Sequence, residues 1–281
     1  MRNIESGELK RIQLGLLEQL HKCCEEHNLR YYLIGGTLIG AIRHKGFIPW
    51  DDDIDVVMPR SDFDLLIKHF NGWIGEKSDA TLISIENTSN YYLGCAKIID
   101  KRTYLVEKVA DSIPIGVYID IFCMDNASDD YEKAVKLFKK TNKWRIIIRE
   151  KNILGSNGIV WWKWAIHYIL KLLFTPISRS FAVKEIKKTI KNEETTHITK
   201  YVCNYIQPTY GLKEIFFGEW FENRILAEFE GRQFYIPAGY DQLLRQVYGD
   251  YMQIPPKEKQ CSHHLYDAFW KEGCEGGDEQ G

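Results

Sequence analysis

Hydrophobic residues recur every three or four positions along the start of the chain. This spacing places the apolar side chains on one face of a helix, and Asn28 stands where such a helix would stop. The sequence therefore predicts an amphipathic helix over 5–28. Its apolar positions are Leu9, Ile12, Leu16, Leu17 and Leu20.

Short runs of β-branched and aromatic residues follow, separated by turn-forming residues. YYLIGG (31–36) predicts a strand that ends at two glycines, TLIGAIRH (37–44) one or two helical turns, and IDVVM (54–58) the next strand. A helix is predicted to open after residue 60, where Ser61 can cap it with an acidic residue three positions on. Further strands are predicted at 81–86, 91–100 and 117–125. These elements predict an α/β unit built on a mixed sheet.

The pattern changes near residue 126, where helical spacing becomes dominant. Strand-like pieces and a short helix ended by Gly249 come later. The helices of the middle are predicted at 129–151, 158–173 and 180–200. The predicted parts are a core at 1–125, a helical segment at 126–205, a part packing on the core at 206–260, and a disordered polar tail at 268–281.

Composition limits the classes of protein to which the chain can belong. The 281 residues are 44% hydrophobic, enough for a sizeable core, and the formal net charge of -2 gives no bulk attraction to nucleic acid. Seven cysteines without a CxxC pair indicate reduced thiols. The first residues carry charges where a signal peptide would be apolar, and no apolar run reaches about 18 residues. We expect a cytoplasmic protein without a transmembrane helix.

Four carboxylates crowd into five positions of PWDDDIDVVMP (49–59), directly before an apolar run. Side chains alternate across a strand, so Asp53 and Asp55 are expected to point the same way, about 7 Å apart. Two carboxylates at that spacing can share a divalent cation, while the apolar residues between and after them face the core. The neighbouring loop acids, with roles left open between substrate contact and plain solvation, are Asp51 and Asp52.

The glycines that precede the acidic run suit an anion. Gly35 and Gly36 let the backbone approach a ligand, and the free N–H groups of a helix starting here, with the Thr37 hydroxyl, can hold a phosphate. That phosphate could bridge to a metal held by Asp53 and Asp55. Alone, an acidic run is usually a solvated loop and paired glycines a turn, but their order here favours a metal and phosphate site. Positive charge nearby comes from Arg43, His44 and Lys45.

Two charged residues are isolated within apolar strands. Asp120 is a lone acid in VYIDIF (117–122), where an unpaired charge would be costly. A metal would remove that cost, and the alternative is a salt bridge at the strand end. Lys97 lies in the middle of a strand, where it either contacts a substrate or extends to the surface. Asp125 is interpreted as a turn residue.

The string YYLIGGTLIGAIRHKGFIPWDDDIDVVMPRSDFD (31–64) closely resembles the LicD family, which includes relatives of the fukutin type. YYLGCAKIIDKRT (91–103) and the late YGDYMQIPP (248–256) resemble that family as well. More widely, two glycines followed after 16 residues by DID resemble the nucleotidyltransferase superfamily, with a longer spacing than most members have. The resemblance implies a nucleotidyltransferase-like mixed β-sheet core flanked by helices, with a helical insertion or C-terminal subdomain.

The resemblance also implies an activity. LicD-like proteins are metal-dependent transferases that move phosphocholine, or a related phospho-alcohol, from a CDP donor to sugars of teichoic acid, lipopolysaccharide or capsule. By position, Asp53, Asp55 and Asp120 would hold Mg²⁺, as one or two ions that Mn²⁺ can replace, and Gly36 and Thr37 would lie against donor phosphate. A sugar hydroxyl would attack CDP-choline and CMP would leave, with Asp120 accepting the proton. The candidates to stabilise the CMP are Arg43, His44, Lys45 and Lys97.

Three alternatives stay open at this point. The donor could carry ethanolamine, glycerol or ribitol in place of choline. The protein could be a true nucleotidyltransferase acting on a sugar phosphate or small molecule, with pyrophosphate as the product. It could also be an inactive module that binds carbohydrate or nucleotide, although the presence of all three carboxylates argues against this.

Choline is a quaternary ammonium without hydrogen-bond donors, and proteins recognise it by aromatic faces. Each aromatic candidate has packing as its alternative role. The candidates for this cage are Trp50, Trp220, Phe221, Tyr91 and Tyr92.

The segment 158–174 combines tryptophans with evenly spaced cations. Lys163, His167 and Lys171 fall four apart on one polar stripe, and the other faces are apolar or aromatic. This pattern is typical of an amphipathic helix at a membrane interface, which would suit a lipid-linked glycan acceptor. The alternative is a helix buried on the protein's own sheet. We therefore expect the 126–205 segment to face the inner surface of the cell membrane or the acceptor.

Overall fold

A mixed sheet forms the centre of the structure. The structure is a computed structural model that describes residues 2–89, 91, 93–107, 115–152, 161–191, 198–260 and 266–274. Within these ranges the strands are β1 Tyr32–Leu33, β2 Asp55–Pro59, β3 Ala80–Ile83, β4 Ala96–Asp100, β5 Thr103–Glu107, β6 Tyr118–Ser128, β7 Tyr201–Cys203, β8 Ile215–Phe217, β9 Arg224–Phe229, β10 Arg232–Pro237 and β11 Tyr266–Trp270.

Helices cover the sheet and form most of the middle of the chain. They are α1 Ser6–Glu26, α2 Gly35–Ile39, α3 Arg60–Ile74, α4 Tyr131–Asn152, α5 Trp161–Leu173, α6 Arg179–Lys191 and α7 Tyr240–Tyr248. A π-helical turn, Gly40–His44, continues α2, and short 3₁₀ turns lie at Gly211–Glu214, Gly218–Phe221 and Lys257–Lys259.

The described part of the sheet has seven strands. Five follow the order β1-β2-β6-β4-β3, while β7 pairs with the far end of β6 and β8 with β7. Strands β2 and β6 run parallel, and the other neighbours are antiparallel. Two separate two-stranded sheets lie outside this sheet: the hairpin β9–β10, and β5 paired with the distant β11. The predicted α/β fold, a mixed sheet flanked by helices, is confirmed.

The main core lies where α1 and α3 cover β1, β2 and β6. Ile54 and Val56 are fully buried there, as the alternation around the acidic run predicts. A second apolar cluster joins α4 and α6 to β7 and β8, with Phe138, Val183 and Ile215 among its members. Because β7 continues the sheet from β6, the helical segment shares one sheet with the core.

Several element boundaries differ from the prediction. Helix α3 begins at Arg60, so Ser61 lies inside it and bonds to Asp62 Oδ1 at 3.2 Å instead of capping the helix. Strand β2 begins at Asp55, which leaves Asp53 just before it rather than on it. The alternation argument extended the strand two residues too far, because the pairing with β6 starts at Asp55.

Strand β6 is longer than predicted and changes the interpretation of Asp125. This residue lies in the strand, buried, and its Oδ1 accepts a hydrogen bond of 2.7 Å from Arg60 Nε. The turn prediction was therefore wrong, because β7 pairs with β6 as far as Ser128.

The C-terminal end also differs from the prediction. Strand β11, Tyr266–Trp270, pairs with β5 and includes the first residues of the tail predicted to be disordered, while 275–281 lie outside the described residues. Helix α6 ends at Lys191, nine residues before the predicted end at 200, and 192–197 lie outside the described residues. Gly249 follows α7 with φ of 72°, which confirms the predicted stop.

The turn between α2 and the acidic run depends on a close backbone approach at Gly40. A Cβ built on Gly40 would collide with the carbonyl oxygen of Gly46, and Lys45 between them adopts a left-handed φ of 60°. The chain thus folds back tightly after the π-helical turn. This places the acidic run beside the start of α2.

We predict opposite effects for alanine at two helical glycines. Gly40→Ala should destabilise the protein by about 1–3 kcal/mol, because backbone must move to admit the methyl group. Gly15→Ala, in α1 with open space at the Cβ position, should stabilise it by up to about 1 kcal/mol through helix propensity. Urea denaturation measures both, and equal free energies of unfolding for the two variants would contradict a close backbone approach at Gly40.

Candidate active site

Three charged side chains meet on one face of the central sheet. The parallel register pairs Asp55 with Asp120, and the antiparallel register pairs Asp120 with Lys97. Directly paired residues on neighbouring strands point to the same face. Lys97 Nζ lies 2.6 Å from Asp120 Oδ1, and the two side chains are only 4% and 10% exposed. Two carboxylates and one ammonium therefore share a largely desolvated site.

The carboxylate of Asp120 is held in place from one side. Cys95 Sγ lies 3.4 Å from the same Oδ1 that Lys97 contacts, and burial raises the pKa of this thiol, so it donates its proton as a neutral group. The hydroxyl of Tyr91 donates to the Cys95 carbonyl at 2.9 Å, and Lys97 Nζ lies 3.3 Å from the centre of the Tyr118 ring. Both salt bridge and thiol bond are thus directed to Oδ1.

The charge balance of the site is negative around Asp55. Asp55 as a whole is only partly buried. Its carboxyl group is desolvated, and this raises the pKa of Asp55 well above the ordinary value. The carboxylates of Asp53, Asp120 and Asp51 raise the pKa further, and Lys97 opposes them. A cation among these groups would relieve the repulsion.

The glycine turn fixes the backbone of Asp55. Gly35 has a left-handed φ of 63°, and a Cβ there would come within 2.9 Å of Asp55 Oδ2. Thr37 Oγ1 accepts the Asp55 N–H at 2.9 Å, and Ile34 N–H donates to the Asp55 carbonyl at 3.1 Å. The two glycines thus begin α2 rather than end a strand, and the buried Thr37 hydroxyl binds the acidic segment.

The acidic run forms a compact group of its own. Carboxylate oxygens of Asp51, Asp52 and Asp53 lie within 4.8 Å of one another, and all three residues are partly buried. Gly36 lies so close to Asp51 that a side chain on the glycine would collide with its Oδ2. Asp51 and Asp52 are thus partly buried, and their roles stay predictions. Among the described residues, Asp55 and Asp120 lie outside this tight group.

The basic residues predicted near the acidic run make different contacts in the structure. Arg43 Nη1 donates to the carbonyls of Tyr251 at 2.6 Å and Gln253 at 3.2 Å, which ties the late YGDYMQIPP segment to the end of the π-helical turn. Burial and the Arg43 charge lower the pKa of His44, so its imidazole is neutral at neutral pH. Lys45 accepts the Glu230 N–H on its carbonyl at 2.8 Å.

Lys97 is the cationic candidate that the structure places against a site carboxylate. Its buried ion pair with Asp120 contradicts the alternative that it extends to the surface. The same pair means that Asp120 does form the salt bridge that the sequence left as an alternative to metal binding. The two interpretations are compatible, since a carboxylate has two oxygens.

The predicted aromatic cage is mostly packing. Tyr91 and Phe221 are buried in the core, and Phe221 also accepts a hydrogen bond from the Tyr32 hydroxyl on its carbonyl. Trp220 packs over Gly239. Trp50, partly buried, has its ring 6.2 Å from that of His44 in an edge-to-face arrangement, and Tyr92 lies outside the described residues.

A second aromatic pair joins the segment before the 3₁₀ turn Gly211–Glu214 to the end of α7. The rings of Tyr210 and Tyr248 meet edge to face with centroids 5.0 Å apart. Burial raises the pKa of Tyr248, with smaller contributions from Tyr210 and Asp55. Sequence reasoning missed this pair, because its members lie 38 positions apart in different elements. The sequence feature that could have indicated the pair is Tyr248, the first residue of the YGDYMQIPP motif.

Comparison with known proteins identifies the family of the chain. The family model described as "LicD/FKTN/FKRP, nucleotidyltransferase domain" matches residues 28–93, which include the glycine turn and the acidic run. A protein of Haemophilus influenzae named lipopolysaccharide cholinephosphotransferase LicD is 34% identical over 278 residues, covering 96% of this chain and 99% of the relative. The chain belongs to the LicD family.

Two further relatives match a short part of the chain. Uncharacterised proteins of Rickettsia prowazekii and Rickettsia typhi are each 40% identical over 47 residues, which is 17% of this chain. The family resemblance seen in the motifs is confirmed by the full-length match. The roles of individual site residues stay predictions.

We predict that Asp55→Asn stabilises the metal-free protein. The folded-state pKa of Asp55 is raised above its unfolded value, so its contribution favours folding in acid and is lost as the pH rises through the folded pKa. At neutral pH the uncharged side chain should raise the denaturation midpoint by roughly 2–4 °C, the effect of about 1 kcal/mol. Thermal denaturation in the presence of a chelator measures this effect.

The matched control is Asp250→Asn, at an exposed acid after α7, which should leave the midpoint unchanged. A lower midpoint for Asp55→Asn than for the parent would show that the carboxylate is stabilising, contrary to an excess of negative charge around Asp55.

Proposed function

We propose that this protein transfers phosphocholine from CDP-choline to a sugar hydroxyl of a cell-surface glycan and releases CMP, in a reaction that requires Mg²⁺. The observation that carries the proposal is the match along nearly the whole chain to a relative named as a cholinephosphotransferase. The buried carboxylates on the central sheet supply a site suited to that chemistry. The enzyme would act in the cytoplasm.

The residues present suit a hard divalent cation. Mg²⁺ prefers carboxylate oxygens, and the proposed ligands are Asp53, Asp55 and Asp120. Desolvation, followed by the neighbouring carboxylates, raises the pKa of Asp55, and Lys97 opposes this only in part. The Asp51–Asp53 group adds oxygens for a second ion, and Mn²⁺ could replace Mg²⁺. When bound, the cation would neutralise charge on the donor phosphates.

The protein's own residues would orient the reactants. Lys97 and Cys95 fix Asp120 through Oδ1, so Oδ2 is the proposed oxygen for cation binding or for accepting the proton of the attacking hydroxyl. Gly35 and Gly36 bring backbone close to Asp55 and Asp51, beside which a donor phosphate would lie. In-line displacement at the phosphorus would form the new sugar–phosphate ester and break the bond to CMP.

Choline recognition is assigned to the tyrosine pair. Quaternary ammonium groups bind to aromatic faces, and Tyr210 and Tyr248 present two rings at an angle of 73°. Tyr210 is 45% exposed, unlike the buried Tyr91 and Phe221. Trp50 stays a further candidate for contact with donor or acceptor.

The acceptor is proposed to be a sugar of lipopolysaccharide, teichoic acid or capsule. The name of the Haemophilus relative gives lipopolysaccharide as its acceptor. A lipid-linked precursor presented at the inner face of the cell membrane would be consistent with the basic, partly apolar surface of the helical segment.

We predict Mg²⁺-dependent release of CMP from CDP-choline in the presence of a glycan acceptor. A panel of CDP-choline, CDP-ethanolamine, CDP-glycerol and CDP-ribitol, followed by chromatography of nucleotide products, tests this. Asp53→Asn and Asp55→Asn should each lower kcat by about 10²-fold or more, and Asp250→Asn should not change it.

The products separate the alternatives. If CMP is released from another donor of the panel instead of CDP-choline, the transferred group is the alcohol phosphate of that donor. Pyrophosphate release from a nucleoside triphosphate and a sugar phosphate would instead support a nucleotidyltransferase, as the name of the matching family model would suggest. Undiminished turnover in both aspartate variants would contradict the metal assignment.

We predict that Tyr210→Ala raises KM for CDP-choline by about 3–30-fold, because one aromatic contact with a cation contributes roughly 0.5–2 kcal/mol. KM for a glycerol donor, which lacks the cation, should change little. Tyr131→Ala removes a member of another edge-to-face tyrosine pair, with Tyr201 at 5.4 Å, and serves as control. Equal effects on both donors would contradict a choline site.

A further inference from the structure

Helix α5 has its polar side against the protein and its apolar side toward solvent. Nδ1 of His167 lies 2.5 Å from Oε2 of the buried Glu150 on α4, and Lys171 is half-buried. His167 and Lys171 of the predicted polar stripe are thus partly buried, and His167 contacts the protein; the side chain of Lys163 lies outside the described residues. This orientation is the reverse of that expected for a surface helix of a soluble domain.

The outward side of α5 forms a continuous apolar stripe. Ile166, Ile169 and Leu173 follow Trp162 at spacings of four, three and four, which places them on one helical face. Their exposed fractions are 48% for Trp162, 48% for Ile166, 55% for Ile169 and 65% for Leu173. We call these four residues, with Leu172 at 57%, the α5 apolar face.

The exposure of this face contradicts the alternative that the helix is buried on the protein's own sheet. Contiguous apolar surface of this kind marks an interaction site on most proteins. The exposed aromatic residues on the helix, Trp162 and Tyr168, are the types that favour the boundary between water and lipid.

Charge around the face is strongly positive. Residues 131–191, which contain α4, α5 and α6, carry 15 Lys and Arg against three Asp and Glu, a net charge of +12. The remainder of the chain carries 22 against 36, a net charge of -14. The near-neutral total therefore conceals a basic helical segment attached to an acidic core.

We propose that the α5 apolar face binds the surface of an anionic lipid bilayer, with α4 and α6 supplying the electrostatic attraction. The combination of apolar stripe and positive charge matches an interface that offers both hydrocarbon and anionic headgroups. Nucleic acid offers the charge without the apolar phase. A second copy of this chain would bring two segments of +12 together, which is unfavourable.

The mode of binding is peripheral. Helix α5 has 13 residues and is about 20 Å long, shorter than the roughly 30 Å hydrocarbon core of a bilayer. Among the described residues, no helix has the length and apolar character needed to cross a membrane. The helix would lie in the plane of the interface with its His167–Glu150 side on the protein.

Vesicle co-sedimentation tests the proposal without donor or acceptor, so its outcome is independent of the proposed activity. The full chain should bind vesicles of phosphatidylcholine with phosphatidylglycerol, bind phosphatidylcholine alone much less, and be released by salt. The double variant I169E/L173E should reduce binding by about tenfold or more. The matched control Leu65→Glu, on α3 with 46% exposure, should bind like the parent.

Three results would overturn the proposal. The first is equal vesicle binding by the parent and I169E/L173E, and the second is no binding of the parent at low salt. The third is a dimer in sedimentation velocity without lipid that I169E/L173E converts to monomer, which would assign the face to a second copy. Circular dichroism and thermal denaturation check that the variants are folded, and neither measurement depends on the proposed activity.

Discussion

The structure depends on the pairing of two parallel strands that places Asp55 beside Asp120. Like charges on neighbouring strands are destabilising, more so away from water. Four fully buried apolar residues flank the two acids on these strands, Ile54, Val56, Ile119 and Ile121, and their burial holds the strands together despite the repulsion. Lys97 on the next strand neutralises one of the two charges. The remaining negative charge is what makes the site suited to a cation.

Other contacts in the core can be understood as support for that pairing. Thr37 binds the Asp55 backbone, and the left-handed Gly35 leaves room for its carboxylate. Arg43, in the π-helical turn that follows α2, donates hydrogen bonds to the carbonyls of Tyr251 and Gln253. These bonds hold the YGDYMQIPP segment against that turn. Motifs from the two ends of the chain are therefore in direct contact.

The sequence predicted those features that depend on local pattern. Alternation around Ile54 identified the strand and its core face, and the isolated positions of Lys97 and Asp120 within apolar runs marked both as unusual. It did not predict that they are each other's partners, because antiparallel register is set by pairing between distant segments. The contact between Tyr210 and Tyr248 could not be predicted for the same reason, because the two residues come from segments that are distant in the sequence.

Helix α5 shows that a pattern can identify amphipathicity without giving its direction. The pattern of the 158–174 segment was compatible with a helix at a membrane interface or one buried on the protein's own sheet; in the structure His167 packs on Glu150 and the apolar side is exposed. Glu150 is itself buried on α4, so the polar side of α5 provides the partner that this charge requires. The charge distribution follows the same division, with a basic helical segment and an acidic core whose signs nearly cancel. A whole-chain net charge could not indicate this division, because the excess positive charge of residues 131–191 is offset by the excess negative charge of the remainder of the chain.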